Sequence, residues 1–104
     1  MKLKAFQTHQ KQFKNLLNEL EELHNRKGHD YSGDDDRLSN FYLTEQMGIP
    51  AWKGCLVRIS DKFARLCQFA KTEELKVKDE SVIDTLKDLA VYSLLCIMLF
   101  EEKK

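Results

Sequence analysis

A chain of 104 residues, 42% of them apolar, has the size and the core material of one domain spanning 1–104, and too little for two. Seventeen Lys and Arg cancel seventeen Asp and Glu, so no net field attracts a long nucleic acid and any anion site must be local. The three cysteines, Cys55, Cys67 and Cys96, are odd in number and form no Cys-x-x-Cys pair, which excludes a disulfide scaffold or zinc ribbon and reads as reduced core residues of a cytoplasmic protein. The basic N-terminus lacks the apolar stretch of a secretory signal, and the longest apolar-rich run, Leu89 to Phe100, is far short of the ~20 residues that span a bilayer.

From Ala5 to about Lys27, Phe6, Phe13, Leu16, Leu17, Leu20 and Leu23 recur at helical steps, which predicts an amphipathic helix with one buried stripe, stopped at Gly28. Residues 28–40 have the Gly, Ser and Asp composition of a loop. Phe41, Tyr42, Leu43 and Met47 predict a short helix near 37–46, ended by Gly48 and Pro50. Pro50 then opens a helix to about Lys71 whose apolar stripe is Trp52, Leu56, Ile59, Phe63, Leu66, Cys67 and Ala70. After a polar linker, a last helix runs from about Glu80 to Glu101, with Val82, Leu86, Leu89, Ala90 and Ile97 as its principal stripe. Beyond Tyr92 that helix is apolar all round, and a helix without a polar side must be surrounded. The expected fold is therefore an all-α bundle of three main helices and a short one, assembled as a homo-oligomer, either a dimer or a dimer of dimers.

Three polar clusters are candidates for chemistry. The segment K27-G-H-D-Y31-S-G-D-D-D36 offers a cation, an aromatic ring and carboxylates to a ligand, although a solvated turn is the ordinary reading of such a composition. It is not a calcium loop, because glycine and glutamate do not fall at the required offsets from Asp30. His9, His24 and His29 have no metal-ligand spacing and read as surface residues. Arg58, Lys62 and Arg65 set three cations on one helical ridge, where phosphate oxygens can be held, with Phe69 in line to stack on a base. The alternatives for the ridge are a solvated face or internal pairing of Arg65 with Asp61. Glu80, Asp84 and Asp88 line up at four-residue steps, either as oxygen ligands for magnesium or, the reading favoured here, as a charge ladder facing the basic ridge.

The motifs K27-G-H-D30-Y31, N40-F41, R58-I-S-D61-K62-F-A-R65-L66 and E80-S81-V-I-D84-T85-L-K-D88-L89-A90-V-Y92 resemble the nucleotide-modification-associated domain family of small helical phage proteins. Tyr31-Ser32-Gly33 stands where that family has a tyrosine-glycine step. The last motif is also similar to the closing helix of the MazG-like, all-α nucleoside triphosphate pyrophosphohydrolases, which hold magnesium with acidic pairs on two neighbouring helices. Here the preceding helix offers Arg58, Lys62 and Arg65 with only Asp61 as an acid, so half of that metal site is missing.

The resemblance implies a cytoplasmic protein of an infected bacterial host that binds a small nucleotide without a cofactor, in the manner of anti-CBASS sponges that sequester the cyclic dinucleotides of host immunity. Lys27, Arg58, Lys62 and Arg65 would hold phosphates, Tyr31 and Phe69 would stack on bases, and Asp30 would accept hydrogen bonds from a base or ribose. The enzyme alternative is a magnesium-dependent pyrophosphohydrolase of deoxynucleoside triphosphates using Asp61, Glu80, Asp84 and Asp88. A third class is an interaction protein that blocks a host enzyme through a helical surface.

Overall fold

In the computed structural model, which describes residues 2–32, 38–72 and 79–102 and the side chains of 4–26, 38–72 and 81–102, the elements are α1 (Lys2–Ser32), α2 (Ser39–Tyr42), a 3₁₀ segment (Leu43–Met47), α3 (Ala51–Thr72) and α4 (Asp79–Glu102). Among the described residues there is no strand, and no helix is long and apolar enough to cross a membrane. Three long helices and a short one are thus present as expected. The first helix runs past Gly28 to Ser32, however, because a glycine inside a helix costs only about 1 kcal/mol, which the neighbouring turns can absorb.

Two local signals set the approach to α3. Gly48 adopts φ +79°, a left-handed conformation that a residue with a Cβ reaches only at a cost, and its N–H closes the 3₁₀ segment onto the Glu45 carbonyl at 3.0 Å. Pro50 then stands at the N-cap of α3, its carbonyl accepting the Lys53 and Gly54 amides at 2.9 and 3.2 Å. The Thr44 hydroxyl lies 2.9 Å from the Phe41 carbonyl and 3.0 Å from the Ile49 carbonyl, which ties the two ends of this connection together. It also lies directly over Gly54, where an added Cβ would come within 2.9 Å of Thr44 Cγ2. Gly54 is therefore the point at which the 3₁₀ segment rests on α3.

The core forms where α3 and α4 pack together under α2. Leu38, Phe41, Ala51, Cys55, Val91, Leu95 and Leu99 are buried, with Leu20, Leu23, Trp52, Tyr92 and Cys96 packed against them. Two ring contacts accompany this packing: Phe41 meets Tyr92 edge-on at 6.0 Å, and Trp52 meets Phe100 at 5.2 Å near the start of α3 and the end of α4. Two thiols cross it, Cys55 Sγ 3.3 Å from the Tyr92 carbonyl and Cys96 Sγ 3.7 Å from the Trp52 carbonyl. Cys67 is exposed and takes no part, contrary to the expectation of three core cysteines.

The buried faces differ from the stripes expected of the sequence. On α4 the buried line is Thr85, Asp88, Val91, Leu95 and Leu99, while Leu86 and Ile97 face outward. On α3 it passes through Ala51 and Cys55, and Leu56 and Phe63 are exposed. Only Leu20 and Leu23 of the α1 stripe reach the core; Phe6, Phe13, Leu16 and Leu17 are exposed, because the N-terminal half of α1 projects beyond the other helices. The molecule is accordingly elongated, 54 × 33 × 26 Å.

Candidate functional site

The cationic ridge of α3 follows from the helical period alone, since residues three and four apart share a face. What the fold adds is a different setting for each cation. Arg58 lines a cleft of about 510 Å³ between α2, the 3₁₀ segment and the α3–α4 pair, together with Asn40, Phe41, Thr44, Gly54 and Tyr92. Among the described residues, no carboxylate lies within ion-pair distance of Arg58. The cleft thus combines an exposed guanidinium, a side-chain amide, a hydroxyl and the edges of two aromatic rings.

One turn further along, Lys62 Nζ meets Asp88 Oδ2 at 3.1 Å. This is one rung of the expected ladder between α3 and α4. Arg65 makes no such rung; its guanidinium sits 5.8 Å above the Phe69 ring, so these two candidate residues contact each other, and no Asp61–Arg65 ion pair forms. Asp84 is exposed and faces α1 instead of the basic ridge, which corrects the ladder to the single Lys62–Asp88 rung among the described residues. The reason is the tilt of the face: Asp84 lies on the edge of α4 that α1 approaches, a turn away from the seam with α3.

That edge borders a second cleft, about 380 Å³, between α1 and α4. It is lined by Glu19, Glu22, Leu23, Arg26, Asp84, Lys87 and Asp88. Periodicity in α1 sets Glu19 and Glu22 on the polar side of an amphipathic helix, where hydropathy alone does not mark them as site residues. Their i, i+3 spacing, which places both on one face, was the available signal. Lys87 Nζ bonds Glu19 Oε2 at 3.0 Å across this cleft. Among the described residues, no three His, Cys, Asp or Glu side chains lie close enough together to hold a metal ion.

Lys27, Asp30 and Tyr31 belong by their backbone to the last turns of α1, but their side chains lie outside the described residues, as do those of Glu80 and His29. His9 is exposed. His24 is not the surface residue expected: it lies half-buried between α1 and α4 beside Leu20, Val91 and Leu95, its Nδ1 without a hydrogen-bond partner.

The arrangement can do two things chemically. Arg58, Asn40 and Tyr92 can receive a phosphate and a planar base side by side, since the guanidinium pairs with phosphate oxygens and the ring edges bound an apolar slot. The carboxylates of the second cleft can accept a cation only after Glu19 leaves Lys87 and Asp88 leaves Lys62. Comparison of the chain with protein-family models, with curated proteins and with solved structures returns no match.

Proposed function

We propose that this protein binds a small nucleotide and holds it intact, with the α3 ridge as the phosphate side of the site. The observation that carries the reading is Arg58, an exposed guanidinium without a carboxylate partner among the described residues, at the wall of a 510 Å³ cleft bounded by Phe41 and Tyr92. A cleft of that size accommodates a mononucleotide unit. Lys62 and Arg65 continue the cationic line, and Phe69 beneath Arg65 supplies an aromatic face at its far end. A ligand with two phosphates and two bases, a cyclic dinucleotide, matches a ridge that repeats cation and ring along its length. Self-association of the chain, expected from its apolar surface, would bring two such ridges into one particle. In an infected bacterium, such a particle would act as a sponge that withdraws a cyclic dinucleotide signal from host immunity.

A second reading has one observation in its favour. Glu19, Glu22, Asp84 and Asp88 line the same cleft, the donor type that magnesium requires for pyrophosphohydrolysis of deoxynucleoside triphosphates. Against it stand the two lysines already bonded to Glu19 and Asp88, which neutralise half of the set. Asp61, assigned to this set from the sequence, is exposed on α3 and does not line the cleft.

One experiment separates the readings: incubation of the pure protein with a mixed nucleotide pool, with and without magnesium, followed by mass spectrometry of the free and the protein-released fractions. Sequestration predicts depletion of a nucleotide that returns unchanged on denaturation, equally in both conditions. Appearance of nucleoside monophosphate and pyrophosphate only with magnesium would establish the enzyme reading. An unchanged pool would refute both and leave a protein partner.

A further inference from the structure

The outward face of α4 carries Ile83, Leu86, Ala90, Ser93, Ile97 and Phe100, at alternating steps of three and four residues. This is the spacing of a helix–helix seam, repeated over roughly 25 Å of helix at 1.5 Å per residue. The face is open to solvent along its length, with Phe100 at its end also touching the Trp52 ring edge-on. Ile83, Leu86, Ile97 and Phe100 are 49%, 49%, 55% and 38% exposed, Ser93 is exposed and Ala90 half-exposed. The seam holds no charged residue. Its one polar group, the Ser93 hydroxyl, is already donated to the Leu89 carbonyl at 2.9 Å.

The order of side-chain sizes along the seam is a palindrome: two large residues, two small ones, two large ones. Read in opposite directions on two antiparallel copies, Ile83 falls opposite Phe100, Leu86 opposite Ile97, and Ala90 opposite Ser93. The small pair at the centre lets the helices approach closely where they cross, and the large pairs fill the widening space on either side. A surface that is complementary to itself under a two-fold rotation is what an isologous dimer requires. The groove beside the C-terminal half of the seam, lined by Leu56 and Ile59 of α3 with Ile97 and Phe100 of α4, measures about 400 Å³ and is open to the partner's Ile83 and Leu86.

The chain also has the surface to give. Its accessible area is 8335 Å², whereas a compact monomer of 12.2 kDa exposes about 6,100 Å². Its radius of gyration is 16.5 Å, against about 13 Å for a compact domain of this length. The surplus, roughly 2,200 Å², is shared between the projecting half of α1 and the open faces of α3 and α4, and it exceeds the ~800 Å² per partner of a standard interface.

We infer that a second copy of this chain docks antiparallel on the outer face of α4, pairing Leu86 of each copy with Ile97 of the other. The test uses charge exchange in the full chain. Light scattering at micromolar concentration should give twice the 12.2 kDa chain mass for the parent, and the chain mass itself for Leu86→Lys and for Ile97→Glu. Both substitutions fall on exposed positions, so helical circular dichroism should be unchanged. The double variant Leu86→Lys, Ile97→Glu should recover the dimer mass, because antiparallel pairing sets each lysine across from a glutamate, and mixing the two single variants should produce a heterodimer. A monomeric parent overturns the inference. So does a double variant that stays monomeric, which is the outcome of parallel pairing. Single variants that keep the dimer mass also overturn it, and if Phe13→Asp then dissociates them, the exposed stripe of α1 is the interface. The readout is mass, so it stands or falls separately from nucleotide binding.

Discussion

Replacement of Asp88 by Asn tests whether the acidic line of α4 serves structure or metal. The carboxylate meets Lys62 Nζ at 3.1 Å, with side-chain exposures of 11% for Asp88 and 25% for Lys62. At an effective dielectric of about 20 the Coulomb attraction over that distance is about 5 kcal/mol, most of it offset by the desolvation of both ions. Removing the carboxylate leaves an ammonium that can still reach water through its exposed quarter, so the expected loss is about 1–3 kcal/mol, below the 3–5 kcal/mol of a fully buried pair. Lys62→Met, which takes the ammonium from the more deeply buried carboxylate, should cost about 3 kcal/mol. Asp84→Asn, exposed and outside the rung, should change stability by less than about 0.5 kcal/mol. Urea denaturation of the three variants and of the Lys62→Met, Asp88→Asn double variant, compared at unchanged denaturant slope, measures these losses and the coupling between the two residues. As members of a magnesium site, Asp84 and Asp88 repel each other in the empty protein, and their replacement by Asn would stabilise it while abolishing any rise in Tm with magnesium. An Asp88→Asn variant as stable as the parent, with no coupling to Lys62, refutes the structural assignment.

Three further outcomes are expected. Arg58→Ala should weaken nucleotide binding about 10–100-fold by equilibrium dialysis, the worth of a charge-assisted phosphate contact, while leaving Tm within a few degrees; unchanged affinity removes Arg58 from the site. Gly54→Ala must displace Thr44, whose hydroxyl holds the Phe41–Ile49 connection, so a net loss of about 1 kcal/mol in urea denaturation is expected after the helical gain of alanine is subtracted. A thiol reagent should modify exposed Cys67 at once and half-buried Cys96 slowly, while fully buried Cys55 reacts only at the rate of unfolding.

The sequence was legible where punctuation is local and opaque where a helix has more than one apolar face. Pro50 and the polar linker before α4 located the starts of α3 and α4 to within a residue or so, because both act through the backbone of the adjacent turn. The choice of buried face on α4 was not determined, since its C-terminal half is apolar around its circumference and a periodic pattern has no single direction there. The pairing of Lys62 with Asp88 was legible in the matching charge lines of the two helices, whereas its restriction to one rung was not, because Asp84 turns toward α1. For the site, the ridge of Arg58, Lys62, Arg65 and Phe69 was legible because it belongs to one helix. The convergence of Arg58 with Asn40, Thr44 and Tyr92, and of Glu19 and Glu22 with Asp84, was not, because it depends on elements up to 65 residues apart in the chain.

The projecting half of α1 makes the chain two regimes of motion in one continuous helix. Its amides from Lys4 to about Asn15 are hydrogen-bonded only along the helix, with Phe6 and Phe13 in solvent, so in the isolated chain they open by fraying from the N-terminus and exchange with deuterium in a time set by helix–coil equilibrium. From Leu20 onward the same helix rests on the core through Leu20 and Leu23, and exchange there requires detachment from α4. The α3 and α4 amides around Cys55 and Val91 exchange only when the whole fold opens. A protection profile along α1 should therefore rise steeply between Leu16 and Leu23, and anything that binds the exposed stripe would move that step toward the N-terminus.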